Sequence, residues 1–139
     1  MALLERSRAL LNPTEYRRAR HVISENDRTL RAADLLTAND LVGLGQLMRE
    51  SHHSQAEDFG ITVPYTDRLV DILGAAIGGE GGARQTGGGF GGAVVGIMRR
   101  DRVETVPAAV LAGYRTPAGG SPEISVELPG QGLSVAAVL

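Results

Sequence analysis

The stretch Gly82-Ala83-Arg84-Gln85-Thr86-Gly87-Gly88-Gly89-Phe90-Gly91-Gly92-Ala93-Val94-Val95 decides the fold. Its glycines lack a Cβ and let the backbone come close to another group, and loops this dense in glycine commonly receive a phosphate or another anion. A flexible linker would have polar flanks, whereas the apolar run 93–98 follows this loop directly. That run is short, partly β-branched and closed by Arg99-Arg100-Asp101-Arg102, which predicts a buried strand. The sequence therefore predicts a strand, a glycine loop and a second strand.

The loop also contains the pattern G-x-G-x-x-G, at Gly87, Gly89 and Gly92. This pattern marks a dinucleotide site only when a strand precedes it and a long helix follows it. The segment after Gly92 predicts a strand instead of a helix. The pattern out of context is therefore weak evidence for a nicotinamide cofactor.

The composition limits the classes of function that the chain can have. Its 139 residues are enough for one domain, residues 1–139, with a single core. Cysteine and lysine are both absent, which excludes disulfides, thiolate chemistry and a Walker-type phosphate loop. The net charge of −2 provides no strong field for nucleic acid or an anionic membrane. No apolar run reaches membrane-spanning length and no signal peptide is evident, so we expect a cytoplasmic protein.

Helix signals dominate the first half of the chain. Asn12, Pro13 and Glu15 predict a helix start, and this helix should run to about Leu36. Its predicted apolar stripe comprises Tyr16, Ala19, Ile23, Leu30 and Ala33. A second helix is predicted from about Thr37, with Asp40 in its first turn, fading near residues 51–53. A third is predicted to open at residues 62–64 and to end at Gly78-Gly79.

The second half predicts the sheet. The glycine-loop hairpin is followed by a shorter predicted helix, Thr105 to about Tyr114, and by predicted strands near Glu123 to Leu128 and Leu133 to Val138. The sequence thus predicts an α+β fold, with helices first and sheet second.

Four blocks of the chain, taken together, closely resemble the C-terminal part of galactokinases, which are members of the GHMP kinases. The blocks are residues 16–28, 44–52, 58–64 with Asp67, and 82–92. The resemblance covers nearly the whole chain and implies a GHMP-kinase C-terminal domain, with helices packed on a mainly antiparallel sheet as a ferredoxin-like two-layer sandwich. The last block resembles the third GHMP motif, a loop that in this family lies beside ATP and the sugar.

The resemblance also implies which residues lie near the substrates. The loop residues close to phosphate and sugar would be Gly87, Gly88, Gly89, Phe90, Gly91 and Gly92, with Arg84 and Thr86 as accessory residues. The family's first two motifs and its catalytic aspartate and arginine have no counterpart in this sequence. We therefore assign neither a catalytic residue nor a metal ligand here. ATP with magnesium would serve the complete enzyme, and we expect neither to bind tightly to this chain alone.

Other polar residues have competing interpretations. Glu25, Asp58 and Asp67 could each act as a base, but carboxylates beside predicted helix ends usually serve as caps and dipole partners. Arg84 could contact a ligand or could pair with a carboxylate. His52-His53 has no partner at metal-ligand spacing, and its likeness to the Ser-His of galactokinases indicates a structural or interdomain role.

Two functions remain open from the sequence. The first is the C-terminal domain of a galactokinase-like enzyme, which would make galactose 1-phosphate together with an N-terminal half. The second is a non-catalytic module that binds a phosphorylated ligand or a protein partner. In either case we expect an uncovered apolar surface around Phe90 that binds the N-terminal half or mediates self-association. We also expect Gly89→Val to weaken phosphate-end interactions more than it lowers stability.

Overall fold

Five helices and two strands make up the computed structural model, which describes residues 1–128 and Gly130. In chain order they are α1 (Ala2–Arg6), α2 (Pro13–Thr37), α3 (Leu41–Ser54), α4 (Pro64–Ile77), β1 (Gly81–Thr86), β2 (Ala93–Met98) and α5 (Thr105–Gly113). Short 3₁₀ helices occur at Arg8–Leu10 and Arg100–Arg102, and a π-helical turn, Gln55–Phe59, follows α3.

The two strands form an antiparallel hairpin, with Gly81 opposite Met98 and Thr86 opposite Ala93. The predicted α+β class and the strand, loop, strand order are confirmed. The predicted strand Glu123 to Leu128 is wrong, because this segment forms no ladder with β2 and has no regular structure. The predicted strand Leu133 to Val138 lies outside the described residues.

Local signals account for the start of α2. The Asn12 side chain accepts hydrogen bonds from the backbone N–H groups of Thr14 and Glu15, at 2.9 and 3.0 Å. The Glu15 carboxylate in turn accepts from the Asn12 N–H at 2.9 Å. This reciprocal capping box satisfies donors that a helix N-terminus leaves free, which is why the predicted start is correct.

The buried face of α2 differs from the predicted apolar stripe. Leu30 is 71% exposed and Ala33 is also exposed, so these two positions of the stripe are wrong. The face that turns inward instead carries His21, Glu25 and Arg28. These three side chains make hydrogen bonds and ion pairs inside the fold. The inward face is therefore polar, and a search for apolar residues could not reveal it.

Helix α3 begins at Leu41, four residues later than predicted, with Asp40 as its N-cap rather than in its first turn. Asp40 Oδ1 accepts from the Gly43 N–H at 2.8 Å. The backbone of α3 then packs directly against the backbone of β1. An ideal Cβ on Gly45 would lie 1.8 Å from the carbonyl oxygen of Gly81, and one on Gly82 would lie 2.7 Å from that of Gly45.

Side chains of α3 cover the free edge of β1. Arg49 Nη1 donates to the Gly81 carbonyl at 3.3 Å, and the Gln85 N–H donates to His52 Nδ1, also at 3.3 Å. An uncovered strand edge is a template for pairing with another chain, so these bonds protect β1. The bond to His52 also fixes the end of β1 that leads into the glycine loop.

The hydrophobic core lies between the sheet and two helices. Its buried residues are Val70 and Ile77 of α4, Ala83 of β1 and Val106 of α5. Strand β2 is only half covered, because Val94 packs against this core while Val95, on the other face, is 41% exposed. The expectation of a fully buried strand is therefore wrong for β2. Among the described residues, no helix combines the length and apolar character needed to cross a membrane.

Candidate functional site

The glycine loop, residues 87–92, joins β1 to β2 through left-handed backbone conformations. Gly87, Gly89, Gly91 and Gly92 have φ angles of 90°, 87°, 124° and 95°. Phe90 has φ 56°, which is uncommon for a residue with a side chain. These angles explain why glycine occupies four of the loop positions, since other residues adopt them at a cost.

One half of the loop packs on the segment that precedes α4 and on its first turn. An ideal Cβ on Gly89 would lie 2.7 Å from Ile61 Cβ, and one on Gly91 would lie 2.6 Å from Tyr65 Oη. The Phe90 N–H donates to the Ile61 carbonyl at 2.6 Å, and Tyr65 Oη donates to the Phe90 carbonyl at 3.3 Å. This half of the loop is therefore anchored within the domain.

The other half of the loop faces open space. Ideal Cβ atoms on Gly87 and Gly88 meet no atom within 4 Å. Gly88 moreover does not adopt a left-handed φ. The fold of this domain thus gives no reason for glycine at position 88.

This asymmetry changes how the loop is best tested. Valine at position 89 would collide with Ile61 whether or not the loop binds a ligand. In Gly89→Val, a loss of ligand binding could therefore not be distinguished from a loss of stability. Gly88 offers that separation, because a side chain there meets nothing in the domain.

A buried polar cluster lies directly under the loop. Gln85 is 0% exposed, and its Oε1 accepts from Thr66 Oγ1 at 2.7 Å while its Nε2 donates to the Ile61 carbonyl at 3.2 Å. Ile61, Tyr65 and Thr66 were not predicted from the sequence as supports of the loop. The only local signal was that residues 61–66 surround the predicted helix start; their contact with the loop is long-range.

Arg84 and Thr86, the two accessory residues, point to different places. Thr86 ends β1 opposite Ala93, at the base of the loop. Arg84 Nη1 instead donates to Ser51 Oγ at 2.6 Å and to Glu25 Oε2 at 3.2 Å, across the face that looks toward α2 and α3. The structure thus shows the carboxylate pairing of Arg84, and a contact with a ligand stays a prediction.

Two of the three carboxylates considered as bases, Glu25 and Asp58, are held by hydrogen-bond partners in the fold. Burial alone would raise the pKa of Glu25, but hydrogen bonds from Arg28 and Ser51, together with the charges of Arg28 and Arg84, hold this pKa below its usual range. The pKa of Asp58 is lowered in the same way, because hydrogen bonds from Arg20 and Ser54 outweigh the effect of burial. The lowered pKa values and the donors that already occupy these oxygens make both carboxylates weak proton acceptors near neutral pH.

The third carboxylate, Asp67, faces a histidine. His52 Nε2 lies 3.4 Å from Asp67 Oδ1, while the other ring nitrogen of His52 accepts from Gln85. This arrangement is in line with the structural role predicted for His52. Within residues 1–128, no group of three or more histidine or carboxylate side chains is placed to hold a metal ion.

A second histidine, His21, ties α2 to the turn after α3. Its ring stacks on Phe59 with centroids 4.6 Å apart, and its Nδ1 lies 3.0 Å from Ser54 Oγ. Burial lowers the pKa of His21, against the attraction of Glu25 and Asp58 and with help from the positive charges of Arg28 and Arg84. The folded chain therefore favours the neutral imidazole.

We expect the free energy of unfolding to fall as the pH drops below about 6.5, the ordinary pKa of histidine. Below that value the unfolded chain binds a proton at His21 that the folded chain binds only at lower pH, so the folded state loses stability until its own pKa is passed. The lowered pKa values of Glu25 and Asp58 add a loss of the same sign at more acidic pH. Urea unfolding between pH 7.5 and 4.5 measures this effect.

The control for this prediction is the exposed His53. His21→Phe, which keeps a ring against Phe59, should flatten the dependence between pH 6.5 and 5, whereas His53→Gln should leave it unchanged. An equal slope in His21→Phe and the unmodified chain would contradict the assignment to His21.

A comparison with family models identifies this arrangement. Residues 32–116 match the model described as GHMP kinases C terminal. The chain belongs to the GHMP kinase C-terminal family. The matched residues run from the second half of α2 through the glycine loop to the end of α5, so the hairpin and the helices on it are the part that the family shares.

Among solved structures, this GHMP domain is similar to the crystal structure of Lactococcus lactis galactokinase complexed with galactose. The match has a TM-score of 0.73 and 31% sequence identity, and it covers 81% of this chain. It covers only 29% of the galactokinase chain. The predicted likeness to the C-terminal part of galactokinases is thereby confirmed, and the chain spans less than a third of that enzyme's length.

Proposed function

We propose that this GHMP domain is the C-terminal part of a galactokinase-like enzyme that converts ATP and galactose to ADP and galactose 1-phosphate. Its glycine loop would line the phosphate end of the active-site cleft. The observation that carries the proposal is the open half of the loop, where Gly88 has neither a left-handed φ nor a neighbour that requires glycine. The choice of sugar is supported by the similar Lactococcus enzyme, which was crystallised in complex with galactose.

The loop suits the chemistry of phosphoryl transfer. This reaction depends mainly on positioning and on electrostatic stabilisation of the phosphate oxygens. Successive backbone N–H groups in a glycine-rich loop form a concave site for anions, and a missing Cβ lets the phosphate approach them. Gly87 and Gly88 offer that access, and a Cβ at either position would project into the space outside the loop.

The other catalytic and binding residues of the enzyme would come from outside this domain. Glu25 and Asp58 are paired with arginines within the fold, and Asp67 lies beside His52, so we assign none of these three as the catalytic base. We therefore place the base, the magnesium ligands and the sugar-binding residues in an N-terminal galactokinase half. That half would supply the equivalents of the 71% of the Lactococcus enzyme that this chain does not match.

The surface around the loop supports this partnership. Phe90 is 71% exposed in the middle of the glycines, and Tyr65, whose hydroxyl donates to the Phe90 carbonyl, is also exposed. Large exposed aromatic side chains are common at the centres of interfaces. We propose that this surface seats the N-terminal half, with self-association as the competing outcome, and that the enzyme acts in the cytoplasm.

A chimera tests the proposal. We expect the chain alone to give no galactose-dependent ADP above background, because it lacks the base and the magnesium ligands. The chimera replaces the matched segment of Lactococcus lactis galactokinase with this chain, and we expect it to phosphorylate galactose. A folded chimera without activity would contradict the galactokinase assignment. Activity of the chain alone would contradict the placement of the base and the magnesium ligands in the N-terminal half.

Sedimentation and co-purification of the chain alone distinguish the galactokinase proposal from the alternative function. If the chain is a self-contained binding module, it should remain a monomer in sedimentation at all concentrations and should not co-purify with a separately expressed N-terminal half. Co-purification that Phe90→Ser abolishes would place the contact at the loop surface.

A further inference from the structure

We propose that Gln85 is a positioning residue that sets the shape of the glycine loop through one shared carbonyl oxygen, that of Ile61. This inference rests on the proposed function only for the reason why the loop must keep its shape. The inference itself concerns contacts within the chain.

The Ile61 carbonyl holds the chain on both sides of the open half of the loop, at Gln85 and at Phe90. It accepts the Phe90 N–H at 2.6 Å and the Gln85 side-chain N–H at 3.2 Å. A carbonyl oxygen has two lone pairs, and these two donors use both. Residues 86–89 are therefore closed into a small ring between two anchors on one atom, and Gly87 and Gly88 form the part of that ring that faces open space.

The shared carbonyl is itself held in place. The N–H groups of Gly60 and Ile61 donate to the Gln55 carbonyl at 2.9 and 3.1 Å, and Gly60 adopts a left-handed φ of 70°. Gln55 is buried at the start of the π-helical turn. The segment that carries the Ile61 carbonyl is therefore held by the turn after α3, independently of the loop.

The orientation of the Gln85 amide is also determined. Thr66 Oγ1 accepts the Val63 N–H at 3.3 Å, and its single proton is shared between Gln85 Oε1 at 2.7 Å and the Val63 carbonyl at 2.9 Å. Because the Ile61 carbonyl oxygen can only accept, the amide must direct its N–H₂ group toward Ile61 and its oxygen toward the Thr66 hydroxyl. Thr66 is 1% exposed and Gln85 is fully buried, so water cannot replace either bond.

A purely structural role in the core would not require a polar side chain at position 85. An apolar side chain of similar length, such as methionine, would fill the space of Gln85 without an amide to satisfy. Glutamine in a fully buried site is unfavourable unless its hydrogen bonds are made, and here two of them lead to the segment that also anchors the loop. The polar group is thus explained by control of the loop.

Amide hydrogen exchange on the full chain tests the inference. We expect Gln85→Met to speed exchange of the Phe90 N–H by about five- to tenfold more than exchange in α2 and α4, because one hydrogen bond that closes the ring is lost. Thr66→Val should give a smaller change of the same kind, and Thr66→Ser, which keeps the hydroxyl, should restore slow exchange.

Val70→Ala is the matched control, because it weakens the core without touching the ring. It should speed exchange evenly over the chain. If Gln85→Met gives the same even profile, or leaves Phe90 unchanged, Gln85 is only a core residue and the inference is wrong. Because no kinase assay is involved, this failure is distinct from an inactive chimera.

Discussion

Gly45→Ala should destabilise the domain by about 3 kcal/mol or more, at the upper end of what overpacking usually costs. The added Cβ would lie 1.8 Å from the Gly81 carbonyl oxygen and 2.4 Å from its carbon. These are backbone atoms, so no side-chain rotation can relieve the collision. Helix α3 would have to move away from β1, and the bonds from Arg49 and His52 to the strand edge would be lost with it.

Gly74→Ala is the matched control for this prediction. Gly74 also lies inside a helix, α4, but its ideal Cβ meets no atom within 4 Å. Alanine should therefore stabilise the chain by about 0.5–1 kcal/mol, the usual gain in helix propensity over glycine. Urea unfolding followed by circular dichroism measures both variants. Equal stabilities would show that α3 and β1 are not in backbone contact.

The close approach at Gly45 also matters for the site. Helix α3 carries Ser51 and His52, which hold Arg84 and the Gln85 N–H respectively. A helix that stood farther from β1 could not reach either residue. The glycine within α3 thus contributes to the position of the glycine loop without lying near it.

Local signals in the sequence predict most of the helices. The Asn12-Pro13 cap, the Pro64 start and the Gly78 end act within a few residues of the chain, and the structure places helix boundaries at each of them. The start of α3 was placed too early because Thr37 completes α2. Asn39 then turns the chain with φ 55°, and Asp40 caps the next helix.

Long-range features could not be predicted in this way. The inward face of α2 is polar because Glu25 meets Arg84, which lies 59 residues away along the chain. The segment 123–128 alternates polar and apolar residues, as a strand does, but a strand also requires a neighbour to pair with, and its sequence does not show whether one exists.

The sequence predicts the glycine loop between two strands, but not the different surroundings of its glycines. Glycine density alone indicated a loop that approaches a ligand. Only the neighbours in space show that Gly89 and Gly91 are required by Ile61 and Tyr65, whereas Gly88 is not required by the domain. This distinction determines which glycine tests the proposed function.

Gly88→Val should lower kcat/KM of the galactokinase chimera by about 100-fold or more, because its side chain would keep phosphate away from the backbone N–H groups, and the loss of one such contact usually costs this much. The valine side chain would project into the open half of the loop, where we place the phosphates of ATP. The domain itself should tolerate it, because no atom lies within 4 Å of the ideal Cβ and φ is not left-handed.

The control is Gly79→Val, the same change at a glycine that also has an open Cβ position and no left-handed φ, but that precedes β1 at the opposite end of the hairpin from the loop. Both variants should unfold at nearly the same urea concentration as the unmodified chimera, and only Gly88→Val should lose activity. If Gly88→Val kept full turnover, phosphate could not approach the loop at this point. The open half of the loop would then serve the contact with the N-terminal half rather than the reaction.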